Sequence, residues 1–180
     1  MGNRGGRLHD LGCRLSDRRW VTRAWICCKL EFNGRHRQVW GRGYTELFFL
    51  DEVTALAAGH RPCFECRHKD AEHFAALFSG EAHRAWAAGM DEVLHIERLA
   101  GKLKRTHRSR VDALPDGAMI ALEGTAYAVL CKRLLRWTPA GYSMVNRNPE
   151  TGVVDVLTPP SILRVLERGY VPLWHHSAMS

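Results

Sequence analysis

The chain predicts an α+β fold: a three-stranded antiparallel sheet with a helical segment, plus a small strand-rich C-terminal lobe that ends in a helix. Three observations predict it. Residues 20–50 alternate apolar and polar side chains around strong turn signals, residues 51–100 carry helical patterns bounded by glycines, and residues 111–180 return to short strands before a Thr-Pro-Pro-Ser helix start. The organisation expected is a basic Gly/Arg-rich arm over 1–19, an α+β region over 20–110, and a small β-rich lobe with its C-terminal helix over 111–180.

Residues 1–19 lack periodicity and read as a loop or arm. Trp25, Cys27, Lys29 and Glu31 then alternate with Ile26, Cys28, Leu30 and Phe32, the two-residue period of a strand. Asn33-Gly34 is a hairpin turn signal, so residues 35–40 are expected to return as a second strand, with 44–50 as a third. Asp51 is a good N-cap, Glu52 suits the positive end of the helix dipole, and Gly59 stops the helix. Further helices are expected over 69–78, 81–88 and 91–100. The basic run 102–110 reads as a helix face or a linker. Strands follow over 118–122, 125–131, 134–138 and 153–157, with 142–150 a loop. Thr158 is the expected cap of the last helix, which Gly169 ends. Phe49-Leu50-Asp51, helix, Gly59-His60-Arg61-Pro62 parallels Val156-Leu157-Thr158, helix, Gly169-Tyr170-Val171-Pro172. Either a duplicated unit or two ordinary helix stops accounts for this.

The net charge is +7, and its placement is one-sided. Residues 1–44 hold ten Lys/Arg against three Asp/Glu, whereas residues 45–180 hold sixteen of each. A basic segment of this kind suits a polyanion, and Trp20, Trp25, Trp40 and Tyr44 lie among its arginines, a mixture able to stack on bases as well as pair with phosphates. Arg4, Arg7, Arg18 and Arg19 are the candidate phosphate contacts of this segment. No apolar run approaches the roughly 20 residues of a membrane span, and the first residues do not read as a secretory signal, so a cytoplasmic protein with reduced thiols is expected.

Six cysteines are present, and Cys63-Phe64-Glu65-Cys66 is the informative pair. Cys-x-x-Cys at a turn offers two sulfurs to one Zn²⁺, and a structural zinc needs four ligands. Cys27 and Cys28 are the nearest further thiols; adjacent strand residues face opposite ways, so one of them reaches the ion, Cys28 being preferred. His60, His68, His73 or Cys27 could complete the set. A redox reading is disfavoured, because a helix and its glycine stop precede the motif where a strand-to-helix junction is wanted. Cys131 reads as a small buried hydrophobe in a strand, and Cys13 lies in a loop.

Ala55-Leu56-Ala57-Ala58-Gly59-His60-Arg61-Pro62-Cys63-Phe64-Glu65-Cys66 resembles the second half of the Ada-type zinc-binding domain, over about residues 44–66. That family binds DNA and accepts a methyl group from a phosphotriester on a zinc-bound cysteine. The resemblance implies a zinc-clasped helical segment, with Cys63 and Cys66 as ligands and Arg61 facing phosphate; Arg67 and Lys69 crowd the same turn. The family's upstream pair is spaced, whereas Cys27 and Cys28 are adjacent, so the methyl-accepting position has no match. The whole chain also resembles a set of small bacterial proteins that share the Gly2-Asn3-Arg4-Gly5 start, the stretch from Tyr44 to Asp51 and Leu157-Thr158-Pro159-Pro160-Ser161, a likeness that carries no activity. The leading expectation is a zinc-stabilised nucleic-acid-binding protein, for DNA rather than RNA. Its rivals are a DNA-repair transferase or nuclease using a zinc thiolate, and a zinc-stabilised protein-interaction module.

Overall fold

Asp51 begins the first helix as its side chain requires. Its carboxylate accepts from the Thr54 amide at 2.9 Å and from the Thr54 hydroxyl at 2.8 Å, capping α1 (Glu52–Ala57). Gly59 closes that helix with φ +83°, where a Cβ would also meet the Arg98 side chain at 2.7 Å. The computed structural model describes residues 2–35, 38–80, 85–145 and 152–179, and it is α+β as expected.

The first sheet is three-stranded, but other strands build it. β1 (Gly2–Arg4) pairs antiparallel with β2 (Ile26–Cys28), and β2 pairs parallel with β3 (Arg61–Pro62). The expected hairpin keeps only its turn, in which the Arg35 amide donates to the Phe32 carbonyl at 3.1 Å. The expected strand over 35–40 lies partly outside the described residues, and 44–50 contributes a single bridge, Gly2 to Phe48. The cause is the N-terminal segment, which takes the place beside β2. The Asn3 amide donates to the Leu47 carbonyl at 2.8 Å, and His9 bonds Thr45 Oγ1 at 2.6 Å and the Gly41 carbonyl at 3.0 Å. Residues 2–10 therefore pack as structure rather than trail as an arm.

Four-residue periodicity holds for α2 (His68–Ser79), whose Ala71, Phe74 and Ala75 are buried. A single helix, α3 (Ala87–Arg98), replaces the two expected there; Gly89 sits inside it, and residues 81–84 lie outside the description. After α3 come a short hairpin, β4 (Leu99–Ala100) with β5 (Leu103–Lys104), and then β6 (His107–Arg110). The basic run thus ends in a strand. The second sheet adds β7 (Met119–Leu122), β8 (Thr125–Leu130), β9 (Arg133–Thr138), β10 (Gly141–Met144) and β11 (Val153–Val156), all antiparallel in the order β10-β9-β8-β7-β11-β6. Cys131 is exposed at the β8–β9 turn with φ +50°, not buried in a strand.

α4 (Pro160–Glu167) starts with Pro at its first position. Thr158 is not its cap: that hydroxyl accepts from the Met119 amide at 2.8 Å and ties the segment to β7. Glu97 of α3 takes over instead, accepting from the Ser161 amide at 2.9 Å and from its hydroxyl at 2.7 Å. The two parallel helix stops close alike. Gly59 N donates to Leu56 and His60 N to Ala55, as Gly169 N donates to Leu166 and Tyr170 N to Val165.

One apolar cluster joins Leu56 of α1, Phe74 of α2, Leu94 of α3 and Ile162 of α4. A second joins Val53 and Ala57 of the same α1 to Met119, Ala128 and Leu135 of the large sheet. α1 is therefore buried on both sides, and the regions 20–110 and 111–180 share their core. Among the described residues no helix is long and apolar enough to cross a membrane.

Candidate metal centre

Register decides which cysteines meet. In the parallel pair, Cys27 stands opposite Pro62, and the Cys63 amide donates to the Cys27 carbonyl at 3.2 Å. Strand alternation sends the Cys27 and Cys28 side chains to opposite faces. Cys28 faces the Cys63–Cys66 turn, and Cys28, Cys63 and Cys66 place their sulfurs within 4.8 Å of one another. Three sulfurs around one ion at about 2.3 Å each would lie about 3.8 Å apart, so the group fits a metal with small adjustment. Cys27, the other candidate, is not in the group. It points inward, fully buried, with Arg67 Nη1 donating to its sulfur at 3.8 Å, and burial pushes its thiol up to about 12, which keeps it protonated.

The turn is built to hold charge on sulfur. The Glu65 amide donates to Cys63 Sγ at 3.4 Å and the Lys29 amide to Cys66 Sγ at 3.4 Å. A hydrogen bond from Cys28 pulls the Cys63 thiol down, with help from the backbone amides, while burial and the neighbouring Cys63 push Cys66 up. One sulfur of the group is thus ready to bind a cation, and a bound metal supplies the charge that lets the others follow.

The histidines considered as further ligands lie elsewhere. His60 is 2% exposed, bonded through Nε2 to Asn3 Oδ1 at 2.8 Å and packed against the Trp25 and Phe49 rings. His68 pairs with Glu72, and His73 lies against Tyr170. Burial, with Arg98 nearby, drives the His60 imidazole from 6.5 down to about 3. Its folded-state value is depressed, so its contribution to stability is complete above about 6.5 and is lost as pH falls toward 3, at about 1.4 kcal/mol per pH unit. Urea unfolding at about pH 7 and about pH 5 should therefore show a loss about 2 kcal/mol larger in the parent than in His60→Gln. Equal losses would show that the imidazole does not control acid stability.

Two of the expected phosphate contacts are internal. Arg61 is 4% exposed and grips Asp91 of α3 bidentately, Nε to Oδ1 and Nη2 to Oδ2, each at 2.8 Å. Arg67 is 3% exposed and reaches Glu52 through two bonds of 2.7 Å and Asp70 at 2.9 Å. Buried guanidinium groups need carboxylates, and these two have them. Lys69, Arg7, Arg18 and Arg19 are exposed, and Arg4 lies in β1 with its side chain outside the description.

A feature that residue-by-residue reading missed is a cleft of about 650 Å³ between residues 16–21 and 101–102. It brings Arg18, Arg19 and Trp20 to Lys102, and Asp17 shares its wall. The signal was present in the two separate basic runs, but their meeting depends on the tertiary fold. Comparison with known proteins finds no family model, no curated protein and no solved structure that matches this chain.

Proposed function

We propose that the protein is a zinc-stabilised nucleic-acid-binding protein that grips phosphates with its N-terminal basic segment, DNA in preference to RNA. Zinc is the favoured ion because three thiolates form a soft donor set that hard cations such as Mg²⁺ and Ca²⁺ avoid. The observation that supports the binding reading is the cleft at Trp20. It joins two basic segments distant in sequence, and it holds a tryptophan 40% exposed whose ring meets His95 edge-on at 4.5 Å. Such a ring offers a face to a base while Arg18, Arg19 and Lys102 attend to the backbone. Arg61 and Arg67 have no part in this surface; they hold the metal turn against α3 and α1.

Anisotropy of a labelled single strand of about 16 nucleotides tests the reading. Affinity should fall steeply between about 50 and 200 mM salt. Arg18→Glu with Arg19→Glu should flatten the logarithmic salt slope by about 1.4, and Trp20→Ala should weaken binding roughly 5- to 150-fold without changing that slope. Matched DNA and RNA strands compare the two polymers in the same assay. Salt-independent affinity, or affinity indifferent to these substitutions, would overturn the proposal.

A further inference from the structure

Arg98, at 0% exposure, is the largest fully buried side chain among the described residues. Where Arg61 and Arg67 grip carboxylates, Arg98 donates to backbone oxygens: Nη1 to the Gly59 carbonyl at 2.9 Å and Nη2 to the Arg23 carbonyl at 2.7 Å. Its guanidinium lies over the Trp25 ring, 3.9 Å from the centroid. Burial pulls the group down to about 10, against the opposing charge of Asp91, so it stays cationic at neutral pH. A charge here is costly to desolvate, and an apolar side chain of similar size would fill the volume without that cost. What a guanidinium adds is a rigid fork of donors aimed in several directions at once.

One of those donors meets an imidazole. Arg98 Nη2 lies 3.3 Å from His95 Nδ1, one turn back on α3. A guanidinium carries N–H groups and no acceptor, so Nδ1 accepts and the His95 proton sits on Nε2. Burial, then the charges of Arg98 and Arg23, hold the imidazole below its usual 6.5 and keep it neutral at neutral pH. Arg23 itself pairs with Glu92 of α3 at 3.7 Å, and Asp17, Arg18, Arg19 and Lys102 line the cleft with Trp20. The neutral ring then meets Trp20, at 4.5 Å between centroids and 73° between planes, the favoured edge-to-face arrangement of aromatic groups. A continuous relay thus runs from the core to the cleft: the Gly59 and Arg23 carbonyls and the Trp25 face fix Arg98, Arg98 fixes His95, and His95 meets Trp20.

We propose that His95 is a positioning residue of the nucleic-acid cleft: anchored by Arg98, it holds Trp20 in place as the platform on which a base stacks. The proposal rests on the nucleic-acid reading above and is independent of the metal. A tryptophan 40% exposed on a loop must otherwise be ordered when its ligand arrives, and each side chain immobilised on binding weakens association. The relay makes that ordering part of folding. The guanidinium that anchors His95 also holds the Arg23 carbonyl, three residues beyond Trp20, so the ring and its backbone are fixed from one point. Lys102, on the other wall, lies four residues beyond the end of the same helix, so α3 sets both walls.

The test uses the full chain and a labelled single DNA strand of about 16 nucleotides. His95→Ala should weaken binding roughly 2- to 12-fold, the advantage of ordering one side chain in advance, and leave the logarithmic salt slope as in the parent. In a Trp20→Ala background the same substitution should change nothing, because the ring it supports is gone. Long-range ¹H–¹⁵N spectra of the parent should show His95 with its proton on Nε2, titrating below 6.5. A His95→Ala variant that binds as the parent does, or that weakens binding equally with and without Trp20, would overturn the positioning role. A parent His95 carrying its proton on Nδ1 would overturn the anchoring by Arg98, and that spectrum needs no variant. A strand that does not bind, or that binds Trp20→Ala as it binds the parent, would overturn the nucleic-acid reading and the proposal with it, so the failures are told apart.

Discussion

Cys63→Ser is expected to abolish stoichiometric metal binding, and Cys27→Ser to preserve it. The two residues are neighbours across the β2–β3 pair, but only Cys63 contributes a sulfur to the group with Cys28 and Cys66. With free zinc a thousandfold above its dissociation constant, the parent gains about 4 kcal/mol from a bound ion. In a chain of this size the loss should lower the melting temperature by about 8–16 °C. A chelator should bring the parent down to the same level and leave Cys63→Ser almost unmoved. Elemental analysis beside calorimetry reads both effects. Metal retained in Cys63→Ser, or lost in Cys27→Ser, would show that the sulfur group is not the binding site.

Arg67→Met is expected to cost about 3–5 kcal/mol, the usual penalty for stranding one partner of a buried ion pair. Glu52 is 0% exposed, and its carboxylate collects two bonds from Arg67, the Tyr170 hydroxyl at 2.7 Å and the Leu173 amide at 2.9 Å. Removing the guanidinium leaves a charge in the core beside a tyrosine and one amide. The melting temperature should fall by about 6–20 °C. Adding Glu52→Gln to Arg67→Met should recover part of that loss, because the stranded charge goes with it, and with Glu52→Gln alone as the fourth corner the cycle measures the coupling. Arg67 directly follows Cys66, so the double variant also reports on the metal turn: its zinc affinity should drop although no ligand has changed. A single variant within about 1 kcal/mol of the parent would deny the pair its structural role.

Local chemistry was readable from sequence wherever its partners were local. Asp51 with Thr54, the glycine stops after α1 and α4, and the Cys63–Cys66 turn depend on residues a few positions apart. The strands from Met119 to Thr138 were equally plain, since tight turns join them in order. Sequence reading fell short where distant residues decide. Arg61 and Arg67 look like phosphate ligands until Asp91 and Glu52, 30 and 15 positions away, are brought beside them. The Gly/Arg composition of residues 2–10 suggests a free arm, yet Asn3 and His9 are buried by partners on residues 41–60. β6 escaped notice because its run, His-Arg-Ser-Arg, sits at the sheet edge with alternate residues in water and carries no apolar stripe. Alternation says only that one of Cys27 and Cys28 reaches the turn; the parallel pairing with β3 places Cys28 beside Cys63 and Cys66.

The parallel alignment of β2 with β3 has a kinetic consequence. Parallel neighbours cannot be joined by a tight turn, so the chain must complete a wide excursion through α1 before the sulfur of Cys28 arrives beside those of Cys63 and Cys66. Contacts of such long sequence separation form late during self-assembly. An ion held by all three thiolates would have no home in the nascent chain, and its capture would mark the moment when the excursion closes.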